Sequence, residues 1–312
     1  MIKSRPEIQT RYRDPHQYPE GVAFQDGQYI PVAEAKISVV DYGFLHSDAT
    51  YDTVSVWNGA FFRLDLHLDR FFSSMEKLSL SIGYTRDELT EILMNCVALS
   101  GLKRAYVEMI CTRGCSPSFS RDPRDAVNRF LAFAIPLGFI ANDKQMEEGL
   151  HIVISDIVRI PSESVNSSIK NYHWLDLVIG LMQGYEKSGD TVLLSDMHGN
   201  ITEGPGFNVF VVKGGVLSTP HTGVLHGITR QTVFDLCETL SHEVQCREVC
   251  RSELTQADEI FITSTAGGIM PVTRVDNCPV SNGEVGPITE ELRSLYWARH
   301  EYGQWITPIE YL

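Results

Sequence analysis

Lys170 stands in "NSSIKNYHWLDL" (166–177), after a polar, turn-forming Asn-Ser-Ser run and just before an aromatic, helix-like segment. A lysine in that setting is either a solvated surface charge or an amine with partly apolar surroundings. In the second case its pKa falls, and the neutral amine can attack a carbonyl. Other lysines have plainer settings. Lys213 precedes a Gly-Gly turn, Lys187 ends a helical pattern, and Lys144 lies in a polar stretch.

Four other stretches could serve such an amine. In "ITEGPGFNVFVV" (201–212) Glu203 occupies a Gly/Pro turn before an apolar strand. It is either a turn carboxylate facing water or one held against a ligand group that must stay protonated. In "GVLHGITRQTV" (223–233) Ile228 and Thr229 open a helix after a glycine. Free N–H groups there, with a threonine hydroxyl, suit a phosphate, although Gly and Thr also serve simple capping. "FITSTAGGIMPV" (261–272) runs from an apolar strand into Ser264, Thr265, Ala266 and two glycines. That loop offers hydroxyls and approachable amides to an anion, or is an ordinary glycine turn. Arg70, in "HLDRFF", is an arginine among apolar neighbours on a helix, either snorkelling to water or facing an anion. Together these residues supply an amine nucleophile, a carboxylate for a ring nitrogen, two phosphate loops and an arginine. Pyridoxal phosphate requires that set.

The elements that must carry these residues are legible in outline. "GVAFQDGQYIPV" (21–32) reads as two strands around an Asp-Gly turn, and "YDTVSVWNGAFFRL" (51–64) as a hairpin turning at Asn58-Gly59. Leu68, Phe71, Phe72, Met75 and Leu78 fall near helical spacing, with Asp65 as the expected N-cap. Thr85 and Glu88 form a capping box for the next helix. Strands are expected at 105–112 and 130–136. Residues 137–149 turn polar and read as an inter-domain linker. A strand at 151–158, a helix over 174–187, hairpins over 191–220, a helix over 229–241, a strand at 259–263 and a helix over 287–300 follow. Strands grouped by hairpins, not alternating with helices, imply an α+β chain rather than a doubly wound sheet. The expected division is a domain over 1–136, the linker over 137–149 and a domain over 150–312. The polar N-terminus reads as an arm and not as a signal peptide.

Composition narrows the partners. A net charge of −14 over 312 residues argues against a basic nucleic-acid surface. No apolar run is long enough to span a membrane. The seven cysteines show no CxxC spacing, so no metal site is expected, and thiols in a reducing cytoplasm are the default.

The order "RLDLHLDRFF … KNYHW … ITEGPGFNVF … GVLHGITRQTV … DEIFITSTAGGIMPV" resembles the class IV, fold-type IV pyridoxal-phosphate aminotransferases over roughly residues 20–300. Within that family "YGFLHSDATYDTVSVWNG" and "TAGGIMPVTRVD" resemble the (R)-selective amine transaminases. The resemblance implies a small α+β N-terminal domain, a larger pseudo-barrel C-terminal domain, a cofactor in the cleft, and a homodimer with shared pockets. It implies that Lys170 is the cofactor's covalent anchor and that Glu203 pairs with the ring nitrogen. Arg70, Ile228, Thr229, Ser264 and Thr265 are implied to hold the phosphate, and Leu225 to pack on the ring. The reaction implied is transfer of an amino group from an (R)-amine to a keto acid such as pyruvate. D-amino-acid or branched-chain aminotransferase activity, or a lyase reaction, are the alternatives within the family.

For the substrate the resemblance implies a pocket with His46, Tyr51, Thr53, Ser55, Trp174 and Ala266. Tyr51, Thr53 and Ser55 alternate on one strand and so share a face. Relatives often carry valine near Thr53. The loop "TRGCSPSFSRDP" (112–123) has Phe119 where fungal relatives carry an arginine for the substrate carboxylate. Arg121 is expected to take that role from a shifted position; the plain alternative is a solvent-facing arginine.

Overall fold

The computed structural model describes Tyr18 and residues 20–311 of the chain, so the arm expected over residues 1–20 lies, but for Tyr18 and Glu20, outside the described residues. The chain divides into two compact units. The first runs to Gly138 and takes in Ile169–Tyr172 and the residues from His300 on. The second holds Phe139–Ser168 and His173–Arg299.

The first unit opens with β1 (Val22–Gln25) and β2 (Gln28–Pro31), joined through Asp26 and Gly27, both with positive φ. A short α1 (Tyr42–His46) precedes β3 (Ala49–Trp57) and β4 (Ala60–Phe62), which turn at Asn58 and Gly59 as their φ signature requires. Then come α2 (Leu64–Lys77), α3 (Arg86–Ser100), β5 (Ala105–Cys115) and β6 (Val127–Pro136). The last strand of the chain, β15 (Ile306–Pro308), completes a seven-stranded sheet in the order β15-β4-β3-β5-β6-β1-β2. All its pairings are antiparallel.

One face of this sheet buries Val54, Val56, Val107, Met109 and Cys111 against Leu68, Phe71 and Met75 of α2 and Leu89, Ile92 and Leu93 of α3. Side chains alternate along a strand, so Tyr51, Thr53, Ser55, Tyr106 and Glu108 must point to the other face. The expected cap at Asp65 is replaced. Arg63, in the left-handed region, precedes α2, its guanidinium lies 4.1 Å from the Trp305 ring centroid, and Asp65 falls in the first turn. The Thr85–Glu88 capping box forms as expected.

The second unit contains α4 (Asp143–Glu148), β7 (Leu150–Val158), α5 (Leu175–Glu186), β8 (Thr191–Ser195), β9 (Asn208–Lys213), β10 (Val216–Thr219) and α6 (Ile228–Leu240). It continues with β11 (Val244–Cys246), α7 (Arg251–Gln256), β12 (Glu259–Ser264), β13 (Gly268–Val275), β14 (Cys278–Pro279) and α8 (Pro287–Glu301). Its sheet runs β11-β10-β9-β12-β13-β7-β8, with β14 on β13. The pairs β13–β7, β7–β8 and β10–β11 are parallel and the rest antiparallel. Residues 137–149, read as a linker, include helix α4, capped by Asn142 and Gln145, and bury Ala141 in this unit's core. The loop expected over Ser264–Gly268 runs straight into β13, which begins at Gly268 and carries Pro271 opposite Phe261.

Candidate active site

Lys170 lies alongside β3 in the first unit. Its carbonyl accepts from Thr50 Oγ1 at 2.6 Å and from Tyr51 N, and Asn171 bridges to Thr50. Its own N–H reaches Ser74 Oγ on α2. This fixes the backbone and sends Nζ to 4.3 Å from the centroid of the Tyr51 ring. Tyr51 stacks on Tyr172, with ring centroids 4.4 Å apart. The Tyr172 hydroxyl donates to Glu108 Oε1 at 2.9 Å. Tyr106 donates to Glu108 Oε2 at 2.7 Å, and Thr53 reaches the same oxygen at 3.4 Å.

Glu108 is buried, and burial raises its pKa; hydrogen bonds from Tyr106 and Tyr172, the Lys170 charge and Thr53 offset only part of the rise. Both tyrosines are pushed up as well, first by burial and then by the Glu108 charge. Thr53 faces Glu108 directly across the β3–β5 ladder, and Ser55 faces Tyr106. The sequence reading named Tyr51, Thr53 and Ser55 on this face and passed over Tyr106, Glu108 and Tyr172. Its available signal was one carboxylate in the apolar run "AYVEMIC", two residues after a tyrosine.

Arg70 is fixed from behind. Its Nε and one terminal nitrogen donate to the two oxygens of Asp52 at 2.7 and 2.8 Å, a bidentate pair. His67 Nδ1 lies 2.8 Å from Asp52 Oδ1. Burial opposes ionisation of Asp52, but the Arg70 charge and hydrogen bond, with His67 adding, hold its carboxyl well below the usual range. Burial lowers the His67 pKa against the pull of Asp52, and the nitrogen facing that acceptor-only carboxylate is Nδ1, as Nδ1–H. The remaining residues expected in this unit sit at the surface. His46 is exposed at the end of α1 against Tyr42. Phe119, 84% exposed with φ +55°, and Arg121 occupy the loop after β5.

In the second unit Glu203 is buried and fully engaged. Oε1 accepts from Arg159 Nε and one terminal nitrogen at 3.2 Å each, and Oε2 accepts from Leu225 N at 2.8 Å. Arg159 also binds Asp176 at 2.7 Å. Burial disfavours the Arg159 cation, yet Glu203 and Asp176 more than offset this and raise its pKa. The turn that presents Glu203 needs glycine next to it, because a Cβ at Gly204 would lie 2.1 Å from the Phe207 ring. Leu225 is fixed from its other side, its carbonyl accepting from Asn208 Nδ2. Gly227 caps α6, and a Cβ there would lie 2.2 Å from Asn208 Oδ1. Arg159, Asp176 and Asn208 carry no motif, so the sequence reading passed over them.

The start of α6 has the character of an anion site. No side chain caps it, no acidic residue lies in its first turn, and Ile228 and Thr229 are buried there. At the end of β12 the Thr263 hydroxyl is buried without a partner, beside Ser264, whose Oγ accepts from Ala266 N. Thr265 and Ala266 are half-buried in the same turn. Trp174 precedes α5 and packs on the Val153, Leu177, Val192 and Leu194 cluster. Within the second unit an uncapped helix N-terminus, an orphan hydroxyl in a Ser-Thr turn and a buried carboxylate fit the phosphate and ring nitrogen of pyridoxal phosphate, and in the first unit the Lys170 amine suits its carbonyl. Among the described residues no group of three or more His, Cys, Asp or Glu is placed to hold a metal, and no helix is long and apolar enough to cross a membrane.

Residues 49–275 match the model of the family amino-transferase class IV, and the chain belongs to that family. It is similar to the branched-chain-amino-acid aminotransferase of Pseudomonas aeruginosa, at 28% identity over 89% of this chain and 92% of that one. It is similar at 28% identity to the D-alanine aminotransferase of Bacillus licheniformis, over 86% of this chain and 93% of that one. The solved structure of the branched-chain amino acid aminotransferase from Thermobaculum terrenum, in its PLP-form, superposes with a TM-score of 0.84 at 27% identity, over 94% of this chain and all of that one. The protein is thus a two-domain α+β, fold-type IV aminotransferase, and pyridoxal 5'-phosphate is its cofactor.

Proposed function

We propose that the enzyme moves an amino group from an (R)-configured primary amine to a keto acid such as pyruvate, in ping-pong order. The observation that carries this reading is Glu108. A buried carboxyl, ringed by hydroxyls beside Lys170, offers a substrate carboxylate no cation of its own and tolerates a substituent without one.

When bound, pyridoxal phosphate supplies a carbonyl for the amine and a ring that accepts the electrons released at the substrate carbon. Lys170 anchors the cofactor at rest; once released, its Nζ takes the proton leaving the substrate Cα. Glu203 would hold a proton on the ring nitrogen, and the paired donors of Arg159 orient its carboxyl for that task. Arg70, Ile228, Thr229, Ser264 and Thr265 hold the phosphate, and Leu225 packs on the ring. His46, Tyr51, Thr53, Ser55, Trp174 and Ala266 line the substrate pocket. Arg121 takes the keto-acid carboxylate, with Phe119 beside it.

The active unit in this reading is a homodimer. In support, α5 exposes Leu175, Val178, Ile179, Met182 and Tyr185, an apolar stripe at helical spacing. The names of the relatives support a second reading, a D-amino-acid or branched-chain aminotransferase. Donor competition separates the two. With 2-oxobutyrate as acceptor, because D-alanine and pyruvate only regenerate each other, a simple (R)-amine should show a higher kcat/KM than D-alanine. With 2-oxoglutarate as acceptor, the same amine should exceed L-leucine. Preference for either amino acid moves the assignment to the second reading.

A further inference from the structure

Arg230 lies in the first turn of α6, and its side chain reaches β11, the edge strand of the second unit's sheet. It is only 6% exposed, and its Nη2 donates to the Pro220 carbonyl at 3.0 Å and to Cys246 Sγ. Its guanidinium carbon is 4.8 Å from the centroid of the Phe234 ring, one turn along the helix. Its Nε is buried and has no hydrogen-bond partner. Burial lowers the Arg230 pKa, and Cys246, then Glu203, offset only part of the fall. The cation is therefore short of both an acceptor and a counter-charge.

Nε and Nη2 form one edge of a guanidinium, the edge that takes an oxyanion side-on. Arg70 uses it on Asp52, and Arg159 uses it on Glu203. On Arg230 the same edge has a sulfur at one end, and at the other an N–H with no acceptor. An oxygen added to that sulfur supplies the acceptor. Cys246 is exposed, so a small oxidant reaches it. Cys250 and Cys278 are exposed as well, but in plainer settings. The Cys250 sulfur contacts Asn200 Oδ1 at 3.9 Å, and Arg247 near it is already paired with Glu253 through two nitrogens.

We infer that Cys246 is a site of oxidation by hydroperoxides, and that the Nε–Nη2 edge of Arg230 holds the resulting sulfenate. In this step the Cys246 thiolate attacks one peroxide oxygen. The S–O bond forms as the O–O bond breaks. Sulfur gives up two electrons, and the second oxygen leaves as hydroxide, or as alkoxide from an organic hydroperoxide. The guanidinium stabilises negative charge on the sulfur before the step and on the oxygen after it. The inference does not depend on which amine the enzyme takes.

The test treats holoenzyme with hydrogen peroxide in the presence of dimedone, which traps sulfenic acids. Each cysteine is then read by peptide mass spectrometry. Wild type should carry dimedone on Cys246 about tenfold more than on Cys250 or Cys278, the difference one charge-assisted hydrogen bond makes. Arg230→Lys keeps a cation but loses the two-nitrogen edge. Labelling of Cys246 should then fall about tenfold, with Cys278 unchanged. Should Arg230→Lys not fold, wild type unfolded in urea replaces it, and the preference for Cys246 should vanish there. Equal labelling of the three cysteines in folded wild type overturns the inference. So does a preference for Cys246 that survives in Arg230→Lys or in urea.

Discussion

Arg159 grips Glu203 with two nitrogens, each 3.2 Å from the same carboxylate oxygen, while the other oxygen takes the Leu225 N–H. The sequence pointed to Glu203 and was silent on the arginine that grips it. Glu203→Gln is expected to lower kcat on the order of 10²-fold, because a neutral amide cannot hold a proton on the ring nitrogen. Arg159→Met should lower kcat in the same direction and weaken cofactor retention, read by absorbance after dialysis. A Glu203→Gln enzyme with full kcat would contradict the role.

Asp52 and Arg70 test the support behind an expected phosphate ligand. Asp52→Asn leaves a nearly buried guanidinium without its counter-charge and should cost about 3–5 kcal/mol in urea unfolding. The pKa of Asp52 is depressed in the folded state, so its contribution is fully present above the ordinary value of 3.8 and fades only as pH falls toward the folded value. The stability gap between wild type and variant should therefore hold at neutral pH and narrow only in strong acid. A gap that closed near neutrality would contradict the pairing.

For Glu108 the sign is reversed. Its folded pKa is raised above 4.5, so the folded state loses relative stability as pH rises through the folded value. Glu108→Gln has no such proton to lose. Its melting temperature should gain on wild type as pH increases above 4.5 and converge with it below. A pH-independent difference would show that Glu108 titrates normally.

How far the sequence went follows from what each residue announces. The two Asp-Gly and Asn-Gly hairpins and the Thr85 capping box are local, and the chain alone specifies them. Lys170, Glu203 and the turn after Ser264 stand in glycine-rich or polar breaks, which the eye catches. Asp52, Tyr106, Glu108 and Arg159 lie in or beside strands, where a polar residue looks like ordinary alternation until its partners are known. Those partners are far apart in sequence: Thr53 to Glu108, Glu108 to Tyr172, Arg159 to Glu203. The cap of α2 was missed for the same reason, since Arg63 is steadied by Trp305 from the far end of the chain.

Arg121 is exposed in the loop after β5, a placement that suits the carboxylate ligand and the solvent-facing alternative alike. Arg121→Ala should raise the pyruvate KM far more than the amine KM, with little change in melting temperature. Equal effects on the two KM values would assign Arg121 to the solvent.

The central claim is met most directly by one assay. Each enantiomer of 1-phenylethylamine is offered with pyruvate, and acetophenone is measured. The account expects rapid acetophenone release from the (R) enantiomer and none from the (S). Release from neither, alongside turnover of D-alanine or L-leucine with 2-oxoglutarate, would contradict it.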